Sequence, residues 1–331
     1  MALPIAPARH FFVVNPVCFY RRQEMDEVIA GIHRFFAAAR VSEEAAEYAV
    51  HISRFPRDAI GAIRRYAKAA PEGAPLRVYA VGGDGILFDC LNGIVGLPNA
   101  ELGTMPYGRE NNFYHVFGHT DLQLFRALDA QTSAISVPMD TLYCGSNHAL
   151  SYCLIGLESV ANASAKAMSE RAGLLRHIAP SLWRKMYVNW GYVGMMSSRS
   201  VFRQQYRVWV DDEDWSGQHA SINIANSPWY AGDKTAVPEA KPDDGSLDVL
   251  ASGAVRVKDA LRYMNKYVRG GHAEIPEFFA YKRAKRVFVT SDTPLVLDLD
   301  GEVFYDKHIT VEIKPNAVRI VAPAGASGER A

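Results

Sequence analysis

From residue 11 to about residue 135 the chain alternates short apolar runs with helical stripes. Residues 11–14, Phe-Phe-Val-Val, read as a continuous apolar strand that stops at Asn15-Pro16. Val28, Ile29, Ile32, Phe35 and Phe36 then recur on one face at helical spacing. Tyr48, Val50 and Ile52 alternate as in a strand, and residues 58–69 return to a helical pattern. A strand over 78–81 follows, then a helix opened by glycines, a strand near 102–105 and a helix around 122–130. Such strand–helix repetition predicts a doubly wound parallel sheet covered on both faces, an α/β domain over residues 1–136.

Beyond residue 137 short alternating strands take over, at 206–210, 221–225, 247–250, 286–290, 295–299 and 310–313. The last is expected to pair with 317–321 across a turn at Lys314-Pro315-Asn316. This predicts an antiparallel β-rich domain over 137–323, whose final strand or tail could return to the first domain, with one helical insertion at 181–191 and a flexible tail at 324–331.

A length of 331 residues, nearly half of them hydrophobic, suits two such domains with ordinary cores. Lysine plus arginine and aspartate plus glutamate number 36 each, so no global field draws the chain to nucleic acid or anionic lipid. Cys18, Cys90, Cys144 and Cys153 form no CxxC pair and read as reduced thiols of a cytoplasmic protein. No apolar run approaches the ~18 residues of a membrane span, so any membrane contact is expected to be peripheral.

The densest chemistry lies where the strand at 78–81 runs into Gly82-Gly83-Asp84-Gly85. Glycines let the backbone approach an anion, and the helix behind them aims N–H groups and a partial positive charge at it. A phosphate fits that cradle, and Asp84 could hold its magnesium, take a proton, or merely cap the helix. In a parallel sheet ligands sit at the carboxyl ends of the strands. Asn15-Pro16, Ser53, the glycine loop and residues 106–112 all fall at such ends.

In order and spacing these segments resemble the diacylglycerol kinase catalytic family, which includes bacterial lipid kinases and sphingosine and ceramide kinases. The resemblance begins at Asn15-Pro16 and continues through Gly82-Gly83-Asp84-Gly85, Leu91-Asn92-Gly93 and the second loop at Leu102-Gly103-Thr104-Met105-Pro106-Tyr107-Gly108. It extends to Asn226-Ser227-Pro228, Pro238-Glu239-Ala240, Asp243-Asp244-Gly245-Ser246-Leu247-Asp248-Val249, Gly271-His272 and Asp300-Gly301-Glu302. NAD kinases share the first glycine motif but are not expected to supply the last segments.

The resemblance implies an NAD-kinase/diacylglycerol-kinase-like first domain and an antiparallel β-sandwich second domain. ATP with Mg2+ would bind the first, and a diacylglycerol-like lipid hydroxyl would be phosphorylated in the cleft. Implied nucleotide contacts are Asn15, Ser53, Gly82, Gly83, Asp84, Gly85, Gly108, Arg109 and Asn111. Asp84, Glu302 and Asp140 match acidic positions important in catalysis, with Asp84 or Glu302 as the base for the hydroxyl. Asp244, Ser246 and the main chain near Lys241 match a structural magnesium site, a fitting loop for a hard cation. Expected partners are a lipid, with peripheral membrane contact and a homodimer compatible with the sequence, and no nucleic acid.

Several of these segments have plainer readings. Asp243-Asp244-Gly245 is also an acidic turn, Asp300-Gly301 a hairpin signal, Ser53 a loop serine, and His272 a structural histidine. Leu182, Trp183, Met186, Tyr187 and Trp190 form one stripe that reads as a core helix or as a bilayer or acyl contact. Lys282-Arg283 and Lys285-Arg286 could meet anionic headgroups or form a solvated edge.

Departures from the family pattern gather at the nucleotide loops. Ile86 replaces a hydroxyl residue, Phe88 a polar one and Asp89 a glutamate, and Val17-Cys18 replaces a small Ser-Gly step. The usual Gly-Thr-Gly-Asn-Asp reads Gly108-Arg109-Glu110-Asn111-Asn112. Two readings follow: an active lipid kinase with a remodelled phosphate loop, or a degenerate homologue that binds lipid or nucleotide without transfer.

Overall fold

The computed structural model describes residues 6, 8–19, 21–39, 47–108, 111–118, 121–172, 202–230, 234–256, 263, 265–323 and 326. Arg109 and Glu110, the proposed helical insertion at 181–191 and most of the tail lie outside the described residues. The chain forms two compact units, Met1–Thr141 with Pro315–Ala331, and Leu142–Lys314.

The first unit strings together β1 (Arg9–Val14), α1 (Arg22–Ala39), β2 (Tyr48–Ile52), α2 (Asp58–Lys68), β3 (Leu76–Gly82), α3 (Asp84–Ile94), β4 (Ala100–Pro106), α4 (Leu122–Arg126) and α5 (Leu128–Ser133). The four strands are parallel in the order β2-β1-β3-β4. Their register aligns Val14 with Ile52 and Val81, and Val81 with Met105, so the four carboxyl ends share one edge.

Alternation along the buried strands sends successive side chains to opposite faces. Phe12, Val14, Tyr79, Val81 and Met105 pack with Met25, Ile32 and Phe36 of α1, and the Phe12 and Tyr79 rings stack at 4.4 Å. Phe11 turns the other way and stacks on Tyr66 of α2, also at 4.4 Å. Each such fully buried large side chain contributes about 1.5–3 kcal/mol, so β1, apolar on both of its faces, anchors a helix on each side of the sheet. On that second face a Cβ at Gly93 of α3 would stand 2.7 Å from Ile63 Cδ1 of α2, so glycine admits the isoleucine there.

The helix expected around 122–130 is two short ones. Ala127 between them is extended (φ −72, ψ 118), and the amide of the fully buried Gln131 donates to the Phe125 carbonyl at 2.9 Å. A side chain thus satisfies the carbonyl that a continuous helix would have used.

The second unit carries β5 (Ile135–Cys144, which begins in the first unit), β6 (Asn147–Ala149), β7 (Tyr152–Gly156), α6 (Leu157–Ala172), β8 (Gln204–Val210), β9 (Glu213–Asp214), β10 (Gly217–Ala225), β11 (Trp229–Tyr230), β12 (Lys234–Thr235), β13 (Leu247–Gly253), β14 (Phe279–Ala284), β15 (Arg286–Leu299) and β16 (Glu302–Ala322). One antiparallel layer runs β14-β13-β10-β7-β15. β8 pairs with the first residues of β10 and the first half of β15. β10 shifts register between His219 and Ser221, and β15 between Thr290 and Leu295. Such irregularities bend a strand so that it serves two layers, and the result is a β-sandwich.

The hairpin expected at Lys314-Pro315-Asn316 is absent, and β16 is one long strand. Its first half pairs antiparallel with β15 (Val287 opposite Val311), and its last residues pair parallel with β4 in the first unit (Arg319 opposite Glu101). Asn316 adopts a left-handed φ of 52°, and the buried Asp140 carboxylate accepts its N–H at 2.8 Å. The turn-like residues therefore mark a change of partner within one strand.

Candidate functional site

The carboxyl edge of the parallel sheet gathers Asn15, Ser53, Gly82, Gly83, Asp84, Gly85, Gly108 and Asn111, and Arg109 lies outside the described residues. After β1, Asn15 accepts the Val17 N–H at 3.1 Å and so closes a tight turn at Pro16. After β2, the Ser53 N–H bonds to the Val14 carbonyl at 2.9 Å, and its hydroxyl donates to the Phe55 carbonyl at 3.3 Å. The segment is held by Asp58, whose buried carboxylate accepts from the Arg54 backbone (3.1 Å) and guanidinium (3.2 and 3.3 Å) and bonds His51 Nε2 at 3.0 Å. The hydrogen bond from Arg54, ahead of the burial that opposes it, drives the Asp58 carboxyl far below the usual carboxylate range.

After β3 and β4 the two glycine loops meet backbone to backbone. The Tyr107 N–H donates to the Gly82 carbonyl at 2.9 Å. A Cβ at Gly108 would stand 2.3 Å from Gly83 Cα and 2.8 Å from Gly83 N. Only glycine permits that approach. Asn111 closes its own loop, since its amide donates to the Gly108 carbonyl at 3.0 Å and its Oδ1 accepts the Gly108 N–H at 3.2 Å.

Asp84 is the first residue of α3, with Gly83 at the cap position and no side-chain cap bond there. Its carboxylate turns instead to the second loop. It accepts the Asn112 backbone N–H at 2.9 and 3.1 Å and the Asn112 side-chain amide at 2.8 Å. Asn112 is buried. The amide that replaces the family's aspartate is thus a donor aimed at Asp84, a role no ionised carboxylate could fill. The open first turn of α3 leaves its N–H groups without intrahelical partners, the donors an anion needs.

Beside this loop lies a cluster that the sequence reading left unconnected. Arg57 precedes α2 with a left-handed φ of 70°. Its N–H bonds to Asp89 Oδ2 at 2.9 Å, its guanidinium lies 3.5 Å from Asp89 Oδ1, and the same group sits 4.6 Å over the Phe88 ring. Phe88 and Asp89 are buried and Ile86 belongs to the core. Two of the departures in α3 are therefore one device, a shortened acid and an aromatic ring that together seat Arg57. The signal in the sequence is the paired departure at positions 88 and 89.

Asp140, in the first unit, is buried and accepts the Asn316 N–H as above. Glu302 belongs to the second unit and opens β16 with one third of its side chain exposed, where Lys166 Nζ lies 3.1 Å from Oε2. It follows the tight turn at Asp300-Gly301, with φ of 48° and 87°, so the hairpin signal is realised there. Asp300 accepts the N–H groups of Leu150, Ser151 and Tyr152 at 2.5–3.0 Å, and burial still pushes its carboxyl up to about 6. Asp298 accepts from Asn162 at 2.9 Å and Gly301 N at 2.7 Å, and burial pushes it up to about 7.

In the loop matched to a magnesium site, Asp244 Oδ1 accepts the Ser246 N–H at 3.0 Å. Its other oxygen pairs with Arg283, while Lys285 Nζ bonds the Gly245 carbonyl and lies 3.3 Å from the Ser246 hydroxyl. Lys241 is exposed at the start of this loop. No cluster of three or more His, Cys, Asp or Glu with metal-binding geometry occurs among the described residues. The basic pairs are likewise engaged internally: Lys282 with Glu213 at 2.7 Å and Arg286 with Glu312 at 3.7 Å. His272 is buried, with Nε2 3.5 Å from Glu239. No helix among the described residues is long and apolar enough to cross a membrane.

Comparison with known proteins agrees with this architecture. Residues 22–144 match the diacylglycerol kinase catalytic domain, and residues 155–322 match the YegS C-terminal NAD kinase beta sandwich-like domain. Proteins of Staphylococcus aureus strains JH9 and N315 that carry the provisional name of lipid kinase are 22% identical over 248 residues, 74% of this chain and 76% of theirs. Two crystal structures from Bacillus anthracis str. Sterne share the fold. One is of a provisionally named diacylglycerol kinase (TM-score 0.67, 16% identity) and one of a diacylglycerol kinase (TM-score 0.64, 15% identity), each covering 95% of this chain and 96% of its own. With a sandwich-domain match over half its length and a catalytic-domain match ahead of it, this chain belongs to the diacylglycerol-kinase-like family of lipid kinases.

Proposed function

We propose that the protein transfers the terminal phosphoryl group of ATP, accompanied by Mg2+, to a hydroxyl of a diacylglycerol-like lipid. The observation that carries this reading is the contact between the loops after β3 and β4. The approach of Gly83 to Gly108 and the grip of Asn112 on Asp84 build a glycine cradle at the mouth of a helix N-terminus. Phosphoryl transfer asks the protein for positioning and charge stabilisation more than for covalent chemistry.

In this reading Gly82, Gly83, Gly85 and Gly108 let backbone donors approach the phosphates, with Asn15, Ser53 and Asn111 lining the same edge. Arg109, in the second loop by sequence, adds a cation for the phosphates. Magnesium supplies charge neutralisation at the nucleotide. A lipid alcohol keeps its proton at neutral pH, so a carboxylate must accept it. Asp84 and Glu302 are the two proposed acceptors, and Asp140 an acidic supporting position. The alternative is a homologue that binds nucleotide or lipid without transfer.

The test is incubation of the protein with labelled ATP, MgCl2 and a panel of lipid alcohols in mixed micelles. Label in a phospholipid product supports the reading. A melting temperature that ATP·Mg2+ does not raise, with no labelled lipid, overturns it. Raised melting temperature without product selects the binding homologue.

A further inference from the structure

The loop before β13 has the shape of a cation site but already holds cations of its own. Gly245 takes a left-handed φ of 68°, and the Asp244–Ser246 bond closes the turn. Three kinds of hard oxygen are thereby collected in one place: the Asp244 carboxylate, the Gly245 carbonyl and the Ser246 hydroxyl. Each of them meets a basic nitrogen. Arg283 takes the free carboxylate oxygen of Asp244, and Lys285 takes the carbonyl and the hydroxyl.

Sheet register delivers those nitrogens. β13 and β14 pair Asp248 with Arg283 and Leu247 with Ala284, so the end of β14 lies directly against the loop that feeds β13. Arg283 lies between Asp244 and the fully buried Asp248 (3.9 Å), and Tyr281 bonds Asp248 at 2.6 Å. A divalent ion needs six or more oxygens at ~2.0–2.6 Å with no competing donor on them. An ammonium and a guanidinium within hydrogen-bonding reach of the same oxygens would have to leave first.

We propose that Arg283 and Lys285 are the resident cations of this loop, so that the second unit holds its Asp244 turn without the structural magnesium that the family resemblance implies. The inference concerns folding, independently of any magnesium carried by a nucleotide and of whether the protein transfers phosphate. It also gives the basic run at 282–286 an internal purpose in place of a headgroup contact.

The experiment follows thermal unfolding of the full chain, without nucleotide, in EDTA and in 5 mM MgCl2 or CaCl2 at matched ionic strength. The native protein should melt within about 1 °C in all three. Arg283→Met with Lys285→Met should melt several degrees lower in EDTA and regain most of that on adding a divalent cation. The single variant Lys285→Met, which keeps the Arg283 pair, serves if the double variant does not fold. With terbium as a hard-cation probe, tyrosine-sensitised luminescence should appear at micromolar metal in Lys285→Met and not in the native protein. Loss of several degrees by the native protein in EDTA overturns the proposal. So does saturable micromolar terbium binding by the native protein that the variant does not tighten. A fall in the double variant that no divalent cation restores also overturns it, since the oxygens would then form no cation site.

Discussion

Asn112 holds Asp84 at both ends of its own residue, by backbone N–H at 2.9 Å and by side-chain amide at 2.8 Å, and so ties the second glycine loop to the first turn of α3. Truncating Asn112 to Ala removes one of these donors and leaves a half-buried carboxylate short of a partner, at a cost of about 1–3 kcal/mol. The variant should melt lower and, because Asp84 loses its aim, lose at least tenfold in turnover with lipid. Asp84→Asn should abolish transfer with the fold retained by circular dichroism. Near-normal turnover by Asp84→Asn would leave Glu302 as the proton acceptor.

The same contact makes Gly108 irreplaceable. An alanine Cβ there would meet the Gly83 backbone at 2.3 Å, and backbone, unlike a side-chain tip, has no rotamer to swing into. Gly108→Ala should therefore force the two loops apart and cost about 1–3 kcal/mol. The ATP-induced rise in melting temperature should vanish with it. An unchanged nucleotide response would show that the loops do not bind phosphate as one cradle.

Much of the first unit was legible in the chain because its signals are local. The run at 11–14, the stripe from Val28 to Phe36 and the glycines after residue 81 each reveal an element without reference to any other. The candidate site was legible only as residue types at strand ends. What decides its chemistry is long-range, as in the 28-residue separation between Asp84 and Asn112 or the 32 between Arg57 and Asp89. Lys314-Pro315-Asn316 misled for the opposite reason. Its local turn signal is real, but Asp140, 176 residues away, accepts the Asn316 N–H within a strand that continues. The cations at 283 and 285 read as surface charge because register, which no single segment carries, places them on the Asp244 loop.

Arg57 offers a test that separates backbone strain from side-chain contacts. A non-glycine residue at φ 70° costs roughly 1–2 kcal/mol relative to the right-handed region. Arg57→Ala and Arg57→Gly both keep the backbone N–H bond to Asp89 and both remove the guanidinium's contacts with Asp89 and the Phe88 ring, but only glycine also relieves the backbone. The glycine variant should be about 1 kcal/mol more stable than the alanine variant in urea unfolding. Equal stabilities would mean that the left-handed conformation carries no strain. Since the family's nucleotide loops lie beside it, both variants should also be compared for their ATP response.

Asp298 gives the protein a pH dependence of unusual sign for a carboxylate. Its pKa is raised to about 7 by burial, against the opposing hydrogen bond from Asn162 and the nearby Lys166 charge. Unfolded, the carboxyl releases its proton near the ordinary value of 3.8. The unfolded state therefore binds fewer protons than the folded state across the window from about 4 to 7, and there stability falls as pH rises. The stabilising contribution is complete below the unfolded value and gone above the folded one. Asp300, raised to about 6 by burial, runs the same way, while Asp58, whose lowered pKa adds stability as pH rises through the acid range, runs the other. A whole-protein titration mixes the two, so the comparison must be with Asp298→Asn, which keeps the shape of the protonated acid and cannot ionise. The variant's advantage over the native protein should be smallest in acid, where the native carboxyl is protonated in both states, and should grow by about 2–3 kcal/mol between pH 5 and pH 8. The measurement is urea unfolding of both at the two pH values. A stability difference that does not change with pH would show that Asp298 is ionised in the folded protein throughout, held so by Asn162 and the Gly301 N–H.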